Sequence, residues 1–184
     1  MIKAHKIIEA SIDDIPTLVL HHRRMFEEIW RIRKLELDEQ KLKDMDDAYS
    51  NKLNEEIITG TCKAWIAKIE DKITTSGAVS IISMVPNPSD SSYKVAYMHS
   101  IFTVNEFRNR GIAELVVKRM LVYCKSRNIN RVILVASEAG RSIYEKIGFK
   151  NNENSMSINV NDLNITNAYT RPSPPFVPHS GAGG

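Results

Sequence analysis

The chain has 184 residues, enough for one domain with a sizeable core, and its 42% apolar and 26% charged residues exclude a disordered or collagen-like polypeptide. A formal net charge of +3 suits an anionic ligand but is too weak and dispersed for a nucleic-acid binder. No apolar run reaches membrane-spanning length, and the two cysteines, Cys62 and Cys124, have neither metal-ligand spacing nor a disulfide framework. These features predict a soluble cytoplasmic protein with free thiols and no metal.

Residues 3–9 read as a first strand. Ser11 and Asp13 offer helix N-caps, and Asp14 adds negative charge to the first turn of a helix. Its apolar residues Ile12, Ile15, Leu18, Val19, Met25, Phe26 and Ile29 recur every three or four positions. A second helix is expected over residues 38–58, marked by Leu42, Met45, Tyr49, Leu53 and Ile57 and closed by Gly60. Residues 63–69 and 73–84 form a hairpin around Glu70-Asp71-Lys72, residues 86–92 a loop, and residues 93–104 the next strand. An Arg/Gly loop then opens into a helix reaching about residue 128. Residues 131–136 read as a short buried strand, residues 140–147 as a short helix ended by Gly148, and residues 156–160 as a final strand. Hairpinned strands followed by strand–helix alternation predict an α/β domain over residues 1–160, with a central mixed twisted sheet and helices on both faces. Residues 161–184 are expected to be a mobile tail, rich in Pro, Ser and Gly towards its end. It holds the sequon Asn164-Ile165-Thr166, and nothing indicates secretion.

The stretch from Ala96 to Cys124 narrows the function most. A strand feeds a short loop, Arg108-Asn109-Arg110-Gly111-Ile112-Ala113, that opens directly into a helix. A helix N-terminus presents unpaired N–H groups and a positive dipole end, which together suit a phosphate. Gly111 lets the backbone approach a ligand closely, and the N–H groups of residues 109–114 can wrap a pyrophosphate. The loop lacks the G-K-[ST] ending of a nucleotide-binding phosphate loop, which argues against that class.

About thirty residues on comes Tyr144-Glu145-Lys146-Ile147-Gly148-Phe149, after the segment Ala136-Ser137-Glu138-Ala139-Gly140-Arg141. With both motifs in this order, residues 3–160 resemble the GNAT family of N-acetyltransferases. The resemblance implies acetyl-CoA as cofactor. Phe102, Thr103 and Val104 would lie on a strand that splays from the next one and pairs with the pantetheine arm. Arg108, Asn109, Arg110, Gly111, Ile112, Ala113 and Glu114 would hold the pyrophosphate. Ser137, Gly140 and Arg141 would line the other side together with Tyr144. Ser137 stands where many members carry Asn, and Gly140 and Arg141 stand where small and apolar residues are usual, so the detailed contacts differ from the common pattern.

The implied chemistry requires a neutral amine, donors for the developing oxyanion from a main-chain N–H near Phe102 or Thr103, and a proton for the leaving thiolate. Tyr144 sits where the family often carries that acid, and a phenol of ordinary pKa about 10 is protonated at neutral pH. The alternative role for Tyr144 is to fill the gap between splayed strands. His99 can serve as the base or can be a satisfied strand histidine; simple alternation puts it on one face with Ile101 and Thr103, opposite Phe102 and Val104. On the first helix Met25, Phe26, Glu27 and Glu28 are candidates for the acceptor wall, the carboxylates also being readable as a solvated face. No His or Asp pairs with either cysteine, so direct transfer is expected rather than an acyl-enzyme.

The expected function is acetyl-CoA-dependent N-acetyl transfer to a primary amine, with a small-molecule amine or polyamine favoured over a peptide. One alternative is a protein N-terminal or Lys acetyltransferase; another is a non-catalytic acyl-CoA-binding regulatory domain. A homodimer through the later strands is compatible with the resemblance, and neither nucleic acid nor membrane is an expected partner.

Overall fold

The computed structural model describes residues 6–152 and 155–159. The described residues up to Phe149 form one compact unit, and those from Lys150 on belong to a second. The first unit runs β1 (Lys6–Glu9), α1 (Ile15–Ile32), α2 (Glu39–Thr59), β2 (Cys62–Ile69), β3 (Lys72–Ser83), β4 (Lys94–Thr103), α3 (Ile112–Ser126), β5 (Arg131–Leu134) and α4 (Arg141–Ile147). The five strands lie in sequence order; all neighbours are antiparallel except β4 and β5. A parallel pair needs a long crossover, and α3 supplies it.

Local chemistry sets the helix ends. Ser11 N and Oγ both reach the Asp14 carboxylate, at 2.8 and 3.1 Å, so Asp14 rather than Asp13 leads into α1, with Pro16 in its first turn. Asp38 caps α2 by accepting from Gln40 N (2.9 Å) and Lys41 N (3.2 Å), and Gly60 ends it at φ 73°, the left-handed conformation that glycine takes most easily.

Two apolar clusters cover the two faces of the sheet. Ile112, Val116, Val117, Met120 and Cys124 of α3 pack with Trp65, Val79, Ala96 and Met98 on one face. Ile15 and Leu18 of α1 and Tyr49 and Leu53 of α2 pack with Cys62, Ile66 and Ala78 on the other. This is the mixed sheet covered on both sides that the sequence predicts.

Two expectations need correction. Residues 156–159 are not a strand: they pair with no strand among the described residues, and Met156 is 96% exposed. Two alternating apolar side chains without a partner strand to bond or a core to enter cannot hold extended structure. Val160 and residues 161–184, including the expected tail and the sequon, lie outside the described residues.

The second correction concerns β4. Between the pairs Ala78↔His99 and Ser76↔Phe102, β4 carries two residues, Ser100 and Ile101, opposite Gly77 alone. This is a β-bulge, and Ser100 adopts φ 55° within it. The extra residue breaks simple alternation. His99 therefore lies on the α1/α2 face with Phe102, while Ile101 packs against the α3 cluster.

Candidate functional site

Beyond the bulge β4 has two unlike edges. It pairs with β3 as far as Thr103↔Thr75, but with β5 only as far as Met98↔Leu134. Val104 N donates to Thr74 O of the hairpin side at 2.9 Å. Because backbone groups alternate across a strand, Phe102 then points its N–H and C=O at β3, and Thr103 and Ile101 point theirs to the open side. Thr103 O takes a bond there from Arg108 Nε at 2.9 Å.

The loop after β4 makes one 3-10 turn, Asn105–Phe107, and meets α3 at Gly111. Asn109 (φ 60°) and Gly111 (φ 74°) are both left-handed. Leu115 N bonds back to Gly111 O at 3.2 Å, so the amides of Ile112, Ala113 and Glu114 have no carbonyl of their own helix to reach. A Cβ on Gly111 would meet nothing within 4 Å; backbone conformation, not space, asks for glycine there.

The charged side chains of this loop are held by the protein itself. Arg108 Nη2 lies 2.8 and 2.7 Å from the Glu28 carboxylate oxygens, with its guanidinium over the Phe102 ring at 5.4 Å. Arg110 donates to Glu106 O at 2.8 Å and covers Phe107. Glu114 joins Lys118 and Lys146, at 2.7 and 2.8 Å, and those bonds hold its carboxyl down at about 2.

After β5, Ser137 Oγ accepts from Gly140 N at 3.2 Å and caps the turn Glu138–Gly140 that leads to Arg141, the first residue of α4. Tyr144 packs beside Gly140, where a Cβ would lie 3.1 Å from the phenol ring, and against Phe149 edge-on at 5.9 Å. Burial pushes its hydroxyl up to about 12, so it is protonated throughout the neutral range.

The α1/α2 face of the bulge carries a polar network that the sequence reading missed. His99 Nε2 meets Ser80 Oγ at 3.1 Å, and Ser80 donates to Glu56 Oε2 at 2.7 Å. His99 Nδ1 meets Ser100 Oγ at 3.1 Å and Tyr49 Oη at 3.4 Å, and Ser100 Oγ meets His22 Nδ1 at 2.8 Å. His22 stacks on Tyr49 at 4.0 Å and touches Phe26 edge-on. His21 meets Ser76 Oγ at 2.9 Å and packs against Phe102. Burial is the main cause holding His21, His22 and His99 near 4; Arg24 adds to it for His21 and Lys52 for His99, whereas Asp46 opposes it for His22. His22 lies on α1, and its partner on β4 is 78 positions away in sequence.

Where α1 meets the end of β4 there is a cleft of about 230 Å³, lined by Arg24, Glu27, Glu28, Arg31, Phe102, Val104 and Asn105. Glu27 is held by Arg23 at 3.0 Å. Of the four α1 residues expected at an acceptor wall, Glu27 and Glu28 line this cleft; Met25 and Phe26 do not.

The acetyltransferase (GNAT) family model matches residues 23–149, most of the first unit. The chain belongs to the GNAT family. Members of this family transfer acetyl groups from acetyl-CoA. Human N-acetyltransferase 8B is 29% identical over 111 residues, covering 58% of this chain and 45% of the human protein. This GNAT chain therefore matches under half of that relative's length. A predicted acetyltransferase from Clostridium acetobutylicum, solved with acetyl-CoA, superposes with a TM-score of 0.79 at 24% identity, covering 88% of this chain and 100% of that one. A GCN5-related N-acetyltransferase from Ralstonia eutropha JMP134 gives 0.76 at 21% identity over 85% and 99%. Glucosamine-6-phosphate N-acetyltransferase from Arabidopsis thaliana gives 0.57 at 21% identity over 85% and 98%. At these identities the solved structures share the GNAT fold.

Proposed function

We propose that this chain is an acetyl-CoA-dependent N-acetyltransferase that acts by direct transfer on a small primary amine. The observation that carries the reading is the open edge of β4: pairing with β5 stops at Met98↔Leu134, next to the uncapped amides at the start of α3. An extended arm can bond along the edge while a pyrophosphate meets the helix end, which fits coenzyme A. When bound, acetyl-CoA supplies a thioester carbonyl open to attack by a neutral amine.

The roles of the chain's own groups follow. Thr103 N–H offers a pantetheine contact, its C=O being held by Arg108, and Ile101 N–H on the same edge is a donor for developing negative charge. The amides of residues 109–114 hold the pyrophosphate, with Arg108 fixing the loop rather than meeting the ligand. Ser137, Gly140 and Arg141 form the opposite wall. The Tyr144 phenol is the proton source for the departing sulfur. Cys62 and Cys124 are buried with their thiols pushed up by that burial, Cys124 to about 11, which supports direct transfer over a thiol nucleophile. Two free thiols also support a reducing, cytoplasmic setting; no described helix is long and apolar enough to cross a membrane.

The cleft between Glu27, Glu28 and Asn105 is small and of mixed charge, which supports a compact amine as acceptor. Thiol release from acetyl-CoA tests the reading with a panel of polyamines, amino acids, aminoglycosides, and peptides with a free N-terminus or an internal Lys. Release with compact amines is expected. Faster release with the peptides would move the substrate to proteins, and acetyl-CoA binding without release for any acceptor would make the chain a binding module.

A further inference from the structure

Arg24, Glu27, Glu28 and Arg31 follow one another at three- and four-residue offsets along α1 and so form one stripe of the helix. That stripe is the α1 wall of the cleft at the end of β4. The formal charges of the four cancel, but their bonding does not. Glu28 has both oxygens on Arg108 Nη2, at 2.8 and 2.7 Å. Glu27 gives an oxygen to Arg23 Nε at 3.0 Å. Arg23 also holds Asp46 and Glu39, neither of which lines the cleft. Each carboxylate of the wall is thus bonded to a guanidinium of the protein itself.

Arg24 and Arg31 are different. Both are exposed, and neither has a hydrogen bond or an ion pair among the described residues. Arg24 is close enough to the sheet for its charge to add to the lowering of His21, whose ring packs on Phe102 at 5.1 Å. Arg31 lies two turns further on, about 10 Å along the helix axis. The unmatched charges of the cleft are therefore both positive. A guanidinium suits a carboxylate or a phosphate, whose oxygens match its fork, and it repels an ammonium. The cofactor's pyrophosphate has its own donors in residues 109–114, none of which lines the cleft. Phe102 and Val104, which do line it, flank Thr103, whose N–H faces the open edge of β4, so the cleft adjoins the path of the pantetheine arm.

We propose that the acceptor is an amine that also carries an anionic group, a carboxylate or a phosphate, and that Arg24 and Arg31 bind that group. This rests on the transfer reading above and narrows it. Among compact amines, those with an acid away from the reacting nitrogen are preferred. Polyamines are poor acceptors, because a second ammonium would meet Arg24 or Arg31. Glu27 and Glu28 build the wall through Arg23 and Arg108 and do not hold the amine. Arg24 and Arg31 grip a part of the substrate that does not react, equally in the ground state and the transition state. Their loss is therefore read in KM and not in kcat.

Pairs of amines that differ chiefly in the distal charge test this on the full chain: γ-aminobutyrate against putrescine, glycine against glycinamide, and phosphoethanolamine against ethanolamine. The last pair separates phosphate from carboxylate as the anion. The anionic member should show a kcat/KM about 10-fold higher by thiol release. Arg24→Gln and Arg31→Gln should each raise its KM about 10-fold, with kcat, acetyl-CoA affinity and thermal unfolding unchanged. Arg24→Lys and Arg31→Lys should keep part of the preference. Calorimetry with each amine added to the chain saturated with coenzyme A reads the same preference without turnover. Equal kcat/KM within every pair, or Gln variants that keep the wild-type KM, would overturn the proposal. Gln variants with weakened acetyl-CoA binding would assign the two guanidiniums to the cofactor and overturn it as well. Preferential binding of the anionic members with no thiol release would overturn the transfer reading and leave the anion site standing; release without charge preference would do the reverse, and neither release nor preference would overturn both.

Discussion

Arg108 Nη2 bonds both carboxylate oxygens of Glu28, at 2.8 and 2.7 Å, and so ties the loop before α3 to α1. Both side chains are partly exposed, so the ion pair itself is worth at most about 1 kcal/mol, and Glu28→Gln should cost no more than that. Arg108→Lys should cost more, about 1–2 kcal/mol, because a lysine cannot hold Thr103 O and Glu28 with one fork. Urea unfolding of the two variants decides it; equal midpoints would show that the Thr103 bond contributes nothing.

Two glycines should fail in different ways. Gly111→Ala meets no neighbour but must adopt φ 74°, a penalty of about 1 kcal/mol that alters the amides at the start of α3. Its main effect should be weaker acetyl-CoA binding, read by calorimetry. Gly77→Ala brings a Cβ to 3.0 Å from Ile101 Cγ1 and 3.2 Å from Met120 Sδ, opposite the bulge. There the loss should be in stability, about 1–3 kcal/mol by urea unfolding.

Acid should unfold this protein early. His21, His22 and His99 are held near 4 in the folded chain, chiefly by burial, against an ordinary value of 6.5. Between those values the unfolded chain binds more protons, so stability falls as pH drops from about 6.5 towards 4 and is insensitive to these groups above that window. One isolated shift of this size is worth on the order of 3 kcal/mol, and neighbouring groups deliver less than their sum. Urea midpoints at pH 7 and pH 5 should differ clearly, and His21→Gln should flatten the slope. A midpoint unchanged down to pH 5 would mean that the imidazoles charge freely in the fold.

Tyr144→Phe keeps the ring against Phe149 and removes only the hydroxyl. If the phenol protonates the departing sulfur, kcat should fall about 10- to 100-fold with unchanged acetyl-CoA affinity and unchanged thermal unfolding. Full turnover at saturating substrate would reduce Tyr144 to a packing residue.

Most of the frame was legible because local rules govern it. The period of α1, the Gly60 end of α2 and the strand–loop–helix at Gly111 each depend on residues within one or two turns. The bulge at Ser100 was not legible: in Tyr97-Met98-His99-Ser100-Ile101-Phe102 a slip of one residue leaves no mark on composition, and only the β3 register reveals it. The fate of Arg108 and Glu28 was hidden for a related reason. Each looked available for a ligand, and each is the other's partner across 80 positions of sequence. The alternation at residues 156–159 misled in the opposite direction, since a strand pattern without a neighbouring strand to bond remains only a pattern.

The uneven pairing of β4 also separates time scales along one strand. By alternation the Phe102 amide is bonded to β3 and can exchange its hydrogen only when the sheet opens, whereas the Thr103 amide, one residue on, faces an edge that β5 has already left. A ligand that takes the Thr103 N–H breaks no hydrogen bond of the sheet and waits for no local melting, so the arrival of an extended arm is limited by encounter and not by the stability of the sheet.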